Sequence, residues 1–143
     1  MLKSDTIDEI KKRFLMKFEI ITPLLGFEEI KEVELHKIDD IFMKMQSVVD
    51  ENISFTLVNP YVLRDYDFEV PSQIKEALEI TTKSNLLIFN ILLIQTPIED
   101  SYINFVGPLV FNTDTKKAAQ IILADNTQYQ VAEKISSFLN KET

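Results

Sequence analysis

Short apolar runs with period two, each cut off by a turn signal, constrain this chain more than any other feature. Phe14, Met16, Phe18 and Ile20 alternate with Lys17 and Glu19, the pattern of a strand with one buried face. Thr22-Pro23 ends that run. Val33 and Leu35 alternate with Glu32, Glu34 and His36, and Ile41, Met43 and Met45 alternate with Lys44 and Gln46. After the turn residues Asp50-Glu51-Asn52, Ile53, Phe55 and Leu57 alternate with Ser54 and Thr56. The runs over 41–48 and 53–58 are predicted to pair as a hairpin. Residues 86–94 are apolar on both faces, as a fully buried central strand is. Residues 102–111 and 120–123 complete the set, with a turn over 113–117. Many short strands at this spacing predict a mainly β fold, a small antiparallel β-barrel closed or nearly so.

Two short helices are predicted beside the strands. Pro71-Ser72 opens one, with Ile74, Ala77 and Leu78 facing inward. Residues 130–139 form the other, with Val131, Ile135, Phe138 and Leu139 on one side. Residues 1–13 read as an N-terminal extension with helical spacing, ahead of a single domain over 14–143. The chain has only two glycines. Gly26 and Gly107 therefore mark positions where a side chain is disfavoured.

Chemistry is constrained by what the sequence lacks. There is no cysteine and a single histidine, His36, which reads as a solvated strand residue. A hydrolase triad needs a base brought to a nucleophile and an orienting group, and no serine sits in an elbow motif. No metal-binding spacing and no phosphate-cradling loop is present. The expectation is a protein without catalysis, cofactor or metal. The first residues alternate charges and do not form a signal peptide, and the longest apolar run is too short to span a bilayer. The absence of cysteine fits a cytoplasmic protein.

The net charge of −8 is unevenly spread: residues 26–70 carry eleven acids and four bases, or −7. An acidic protein is a poor direct ligand for nucleic acid but suits a basic protein partner. The same charge also serves solubility. Within this stretch Asp65, Asp67 and Glu69 share one face at period two, with Tyr66, Phe68 and Val70 on the other. These carboxylates repel one another unless solvent screens them or a basic surface covers them. They form either a partner surface or an acidic edge that discourages strand-to-strand aggregation. Asp65, Asp67 and Glu69, with Tyr66 among them, are the candidate partner-binding residues.

Three blocks mark turns and breaks. Pro23-Leu24-Leu25-Gly26-Phe27-Glu28-Glu29 comes first. Asn59-Pro60-Tyr61 then leads into Asp65-Tyr66-Asp67-Phe68-Glu69-Val70-Pro71. Asn104-Phe105-Val106-Gly107-Pro108-Leu109-Val110-Phe111-Asn112 comes last. Asn59, Pro60, Pro71, Asn104, Gly107, Pro108 and Asn112 are expected to be structural, ending strands and fixing turns. In this order the blocks resemble the flagellar assembly factor family FliW, which carries PxLLGFE-like, NPxxxxxDYxxxIP-like and NLxAPxxxN-like segments. Phe105 and Gly107 stand where the last pattern has Leu and Ala. The resemblance covers roughly residues 14–130. It implies a β-barrel-like domain that binds the C-terminal region of flagellin in the cytoplasm. It also implies binding to the translational regulator CsrA, opposing repression of flagellin mRNA. Flagellin termini are amphipathic segments suited to an apolar groove. Two other readings remain. One is a small barrel holding an apolar ligand in its lumen, and the other is a hydrolase built on converging carboxylates.

Overall fold

The alternating runs close into a ring. The computed structural model describes residues 15–124 and 127–139, so the helix expected over 1–13 lies outside them. In chain order the described elements are β1 (Leu15–Ile20), β2 (Glu32–Lys37), β3 (Phe42–Ser47), β4 (Ser54–Val58), α1 (Pro60–Leu63), α2 (Ser72–Ala77) and β5 (Leu86–Leu93). A 3-10 turn over Ile98–Asp100 follows, then β6 (Tyr102–Ile103), β7 (Leu109–Asn112), β8 (Lys117–Gln120), β9 (Glu133–Lys134) and α3 (Ser136–Leu139). Strand order is β4-β3-β2-β1-β8-β7-β5, and β5 pairs back onto β4 to close a seven-stranded barrel. Every pairing in the ring is antiparallel except β1 with β8. The expected β3–β4 hairpin is present, with Met45 opposite Phe55 and Met43 opposite Leu57.

Inward positions fill the barrel with Phe18, Val33, Leu35, Met45, Leu57 and Phe111 among others, all essentially inaccessible to solvent. Phe18 and Phe89 each meet Phe111 edge to face, at centroid distances of 5.0 and 6.0 Å. Full burial of one such ring is worth about 1.5–3 kcal/mol. The lumen is therefore a packed core, and the two hollows lined partly by its residues open to solvent at the barrel ends. This favours no lumen ligand.

Outside the barrel two further clusters form. Leu78 caps Val110, Ala119 and Ile121 from the end of α2. Adjoining it, with Phe68, Ile88 and Leu123 packed against both, Val58, Leu63, Tyr66, Leu92, Ile103, Phe105, Tyr129 and Ile135 pack together. Consecutive residues Leu57 and Val58 are both fully buried because each strand face meets its own cluster. One amphipathic side per strand does not capture that.

Several expectations need correction. Residues 102–111 are not one strand. Beyond β6 the chain leaves the sheet at Asn104, whose side-chain oxygen accepts from the amides of Val106 (3.0 Å) and Gly107 (3.1 Å). Both β6 and β7 then pair with β5, at different stretches of it. The strand expected over 120–123 lies earlier, as β8. Ile121 and Leu123 continue beyond it, their amides donating hydrogen bonds to the Pro108 and Val106 carbonyls. Residues 130–139 are not one helix: Glu133 and Lys134 pair with β6, the Ile135 amide donates to Ser101, and only the last turn is helical. Asn59-Pro60 does not merely end β4. Asn59 Oδ1 accepts from the Tyr61 amide at 3.0 Å and caps α1, with Pro60 in its first turn, as a short side-chain acceptor before proline does. The strand over 86–94 is buried along its middle, but Leu93 and Ile94 stand out in solvent.

The two glycines answer to different constraints. Gly26 has φ of +86°, in a tight turn closed by the Phe27 amide on the Leu24 carbonyl, a conformation most side chains resist. At Gly107 a Cβ would lie 2.7 Å from Gln120 Nε2. Gln120 holds the Leu25 amide (3.0 Å) and the Gly107 carbonyl (3.2 Å). Gly107→Ala is expected to displace it and cost about 1–2 kcal/mol, two modest hydrogen bonds. Denaturant unfolding measures this, and Gln120→Ala on the same background should add little.

Candidate functional site

After α1 the chain does not return directly to the sheet. Residues 65–70 belong to no helix or ladder, and their side chains alternate between exposed and more buried, so the strand face expected there is a braced strap. Side chains brace it. The Tyr66 hydroxyl donates to the Phe105 carbonyl and accepts from Asn90 Nδ2 at 3.1 Å. The same amide group reaches the Asn104 carbonyl at 2.9 Å. The Asp67 amide donates to the Tyr129 hydroxyl at 2.9 Å. The Tyr66 ring meets Tyr129, Phe68 and Phe105 at 4.7, 5.3 and 5.4 Å. Such aromatic pairs add about 0.5–1.5 kcal/mol beyond area burial.

This bracing sets the direction of each neighbour. Tyr66 is 6% exposed, so its ring supports the strap from beneath and does not face a partner. Phe68 and Val70 also pack inward. Asp65, Asp67 and Glu69 point outward and are exposed. The three carboxylates therefore form a row along the exposed side of the strap.

The base nearest in sequence does not neutralise this row. Arg64 turns the other way, with its guanidinium 2.9 Å from Glu133 Oε1. Its carbon lies 5.0, 4.9 and 5.3 Å from the ring centroids of Phe105, Tyr129 and Phe138. That is a partly desolvated cation held by both a carboxylate and aromatic faces. Among the described residues no ion pair involves Asp65, Asp67 or Glu69. Beside the row, Phe68, Ile121 and Leu123 line a hollow of about 420 Å³ together with Asp67 and Glu69. The exposed Ile122 joins its rim.

Burial pushes the Tyr66 hydroxyl pKa well above its ordinary value of 10.0. Tyr61 is raised too, by burial and then by the Asp67 carboxylate. Both hydroxyls stay protonated at neutral pH, and that of Tyr66 serves as a donor. His36 lies on β2 with Nε2 3.4 Å from Glu34 Oε2, far along the chain from the strap. No three histidine or acidic side chains among the described residues are placed to hold a metal ion. No described helix is long and apolar enough to cross a membrane.

Of the remaining motif residues, Asn112 sends its amide group to the Leu78 carbonyl at 2.8 Å and accepts from the Asp114 amide at 3.0 Å. It ties α2 to the β7–β8 turn. Pro71 precedes α2 at its N-cap, and the Pro108 carbonyl accepts from Ile121. Sequence reasoning missed Asn90, a fully buried polar residue in an apolar run. That mismatch was its signal, because a buried amide demands partners. It also missed Arg64, whose inward turn has no local sequence signal.

The chain matches the FliW protein family over residues 2–135. It is 60% identical over 126 residues to the flagellar assembly factor FliW of Sulfurimonas denitrificans, covering 88% of this chain and all of that one. It is 44% identical over 130 residues to flagellar assembly factor FliW 2 of Wolinella succinogenes, covering 90% and 96%. A crystal structure of the flagellar assembly factor FliW superposes with a TM-score of 0.75 at 26% identity, over 87% of this chain and 86% of that one.

Proposed function

The chain belongs to the FliW family of flagellar assembly factors, and from that membership we propose that it is a cytoplasmic partner switch without catalysis. In this reading it binds the C-terminal region of newly made flagellin. It also binds the translational regulator CsrA and opposes CsrA's repression of flagellin mRNA. When flagellin is scarce the free factor holds CsrA and translation rises. When flagellin accumulates it takes the factor away. Two competing partners produce such a switch by mass action alone.

The observation that carries this reading is the row Asp65, Asp67 and Glu69, exposed and unneutralised because Arg64 is committed elsewhere. An RNA-binding regulator carries basic surface, and a row of fixed carboxylates attracts and steers it. Because Tyr66 and Tyr129 already hold the strap, little ordering entropy is lost on binding. Affinity capture from a flagellated bacterium, read by mass spectrometry at low and high salt, tests the reading. Flagellin and CsrA should both be recovered, with CsrA lost more steeply as salt rises. Recovery of neither by a folded bait would end this reading.

A further inference from the structure

The turn at Gly26 displays apolar side chains that the barrel does not use. Leu24 is buried beneath it, while Leu25 is 71% exposed. Phe27 stacks edge to face on Phe55, 4.9 Å between centroids. Across from the turn, the β4–β5 ladder has its last pair at Thr56 and Leu92. Beyond it Leu93 and Ile94 are 62% and 53% exposed. Between these walls lies an open groove of about 530 Å³ at one end of the barrel.

The groove's chemistry separates it from the hollows at the other barrel end and beside the strap. None of its lining side chains is charged, in a protein of net charge −8. The hollow at the other barrel end includes Lys37, Asp39 and Asp40, and that beside the strap includes Asp67 and Glu69. A charged occupant of the neutral groove would lose hydration without gaining a partner. Apolar side chains stand on both walls, so the occupant must present a broad apolar ridge. An amphipathic helix does this with positions i, i+3, i+4 and i+7. The walls are also preset, since Gln120 pins the Leu25 amide to the loop before β7.

We propose that this groove docks an amphipathic helix by its uncharged apolar ridge. Resting on the function read above, that helix is the C-terminal segment of flagellin, and the acidic row is left for CsrA. The two sites share the loop after β6: Asn104 lines the groove, and the next residue, Phe105, accepts the Tyr66 hydroxyl beneath the row. Two folded partners seated on either side of one loop crowd each other, which makes them compete without sharing a contact residue.

The test is the double variant Leu25→Glu/Ile94→Glu, titrated with a fluorescent peptide of the flagellin C-terminal region and separately with CsrA. Both positions are exposed, so the thermal midpoint should hold. Flagellin-peptide affinity should fall at least tenfold while CsrA affinity stays within twofold. Unchanged peptide affinity, or equal loss of both partners, overturns the groove assignment but not the switch. A wild-type dimer dissolved by the same substitutions would also overturn it, by making the groove a self-interface. If wild type binds neither partner, the functional reading falls and the groove assignment with it.

Discussion

Tyr66→Ala is expected to destabilise the protein by about 3–5 kcal/mol, as removal of a buried aromatic ring does, and to abolish binding through the strap. The side chain contributes in three ways. Its ring contacts Tyr129, Phe68 and Phe105, its hydroxyl satisfies the Phe105 carbonyl, and it accepts from Asn90. Asn90 Oδ1 already lacks a partner, so losing the hydroxyl leaves that amide held only by the Asn104 carbonyl. Tyr66→Phe keeps the ring and should cost about 1–3 kcal/mol, the penalty of an unpaired buried group.

Comparing wild type with Tyr66→Phe across pH isolates the part played by the hydroxyl. Because burial raises the folded-state pKa above 10.0, Tyr66's contribution is fully present below pH 10. It declines above that as the unfolded chain ionises first. Chemical unfolding between pH 8 and 11 should therefore show a loss of stability that Tyr66→Phe reduces. Tyr61, raised in the same direction, keeps part of it.

The second large effect is on binding. Reversing Asp65, Asp67 and Glu69 to lysine changes the charge by +6, from −8 to −2. CsrA affinity should fall at least tenfold at low salt, and its dependence on salt should flatten, since charged rims act on encounter and ionic strength. Stability should hardly move, because exposed substitutions of this kind each stay within about 0.5 kcal/mol. Unchanged affinity for CsrA in the folded triple variant would remove the strap from the interface.

The contrast between Tyr66 and its neighbours also shows what could be read from the chain. Period two correctly separated Asp65, Asp67 and Glu69 from Tyr66, Phe68 and Val70, because alternation belongs to extended backbone whether or not a ladder forms. It could not tell that this stretch leaves the sheet, since ladder pairing depends on distant partners. The barrel was legible from the same alternation in β1 to β4. The single parallel pairing of β1 with β8 was not, because nothing local records which strands meet when a ring closes. The run over 130–139 failed for a similar reason: its helical spacing yields to Glu133, fixed by Arg64 from the far side of the chain, and to pairing with β6. The neutral groove left a trace in the exposed ends of two apolar stretches, Leu25 in the Gly26 turn and Ile94 after β5. Only their meeting at one end of the barrel gives that trace meaning.

The most direct test of the partner switch is a displacement titration. Labelled CsrA is bound to the purified protein, flagellin is added, and both free and bound CsrA are followed by analytical ultracentrifugation. Stoichiometric release of CsrA as flagellin binds is the predicted result, and Leu25→Glu/Ile94→Glu should retain CsrA throughout. A stable complex containing all three proteins would contradict the switch.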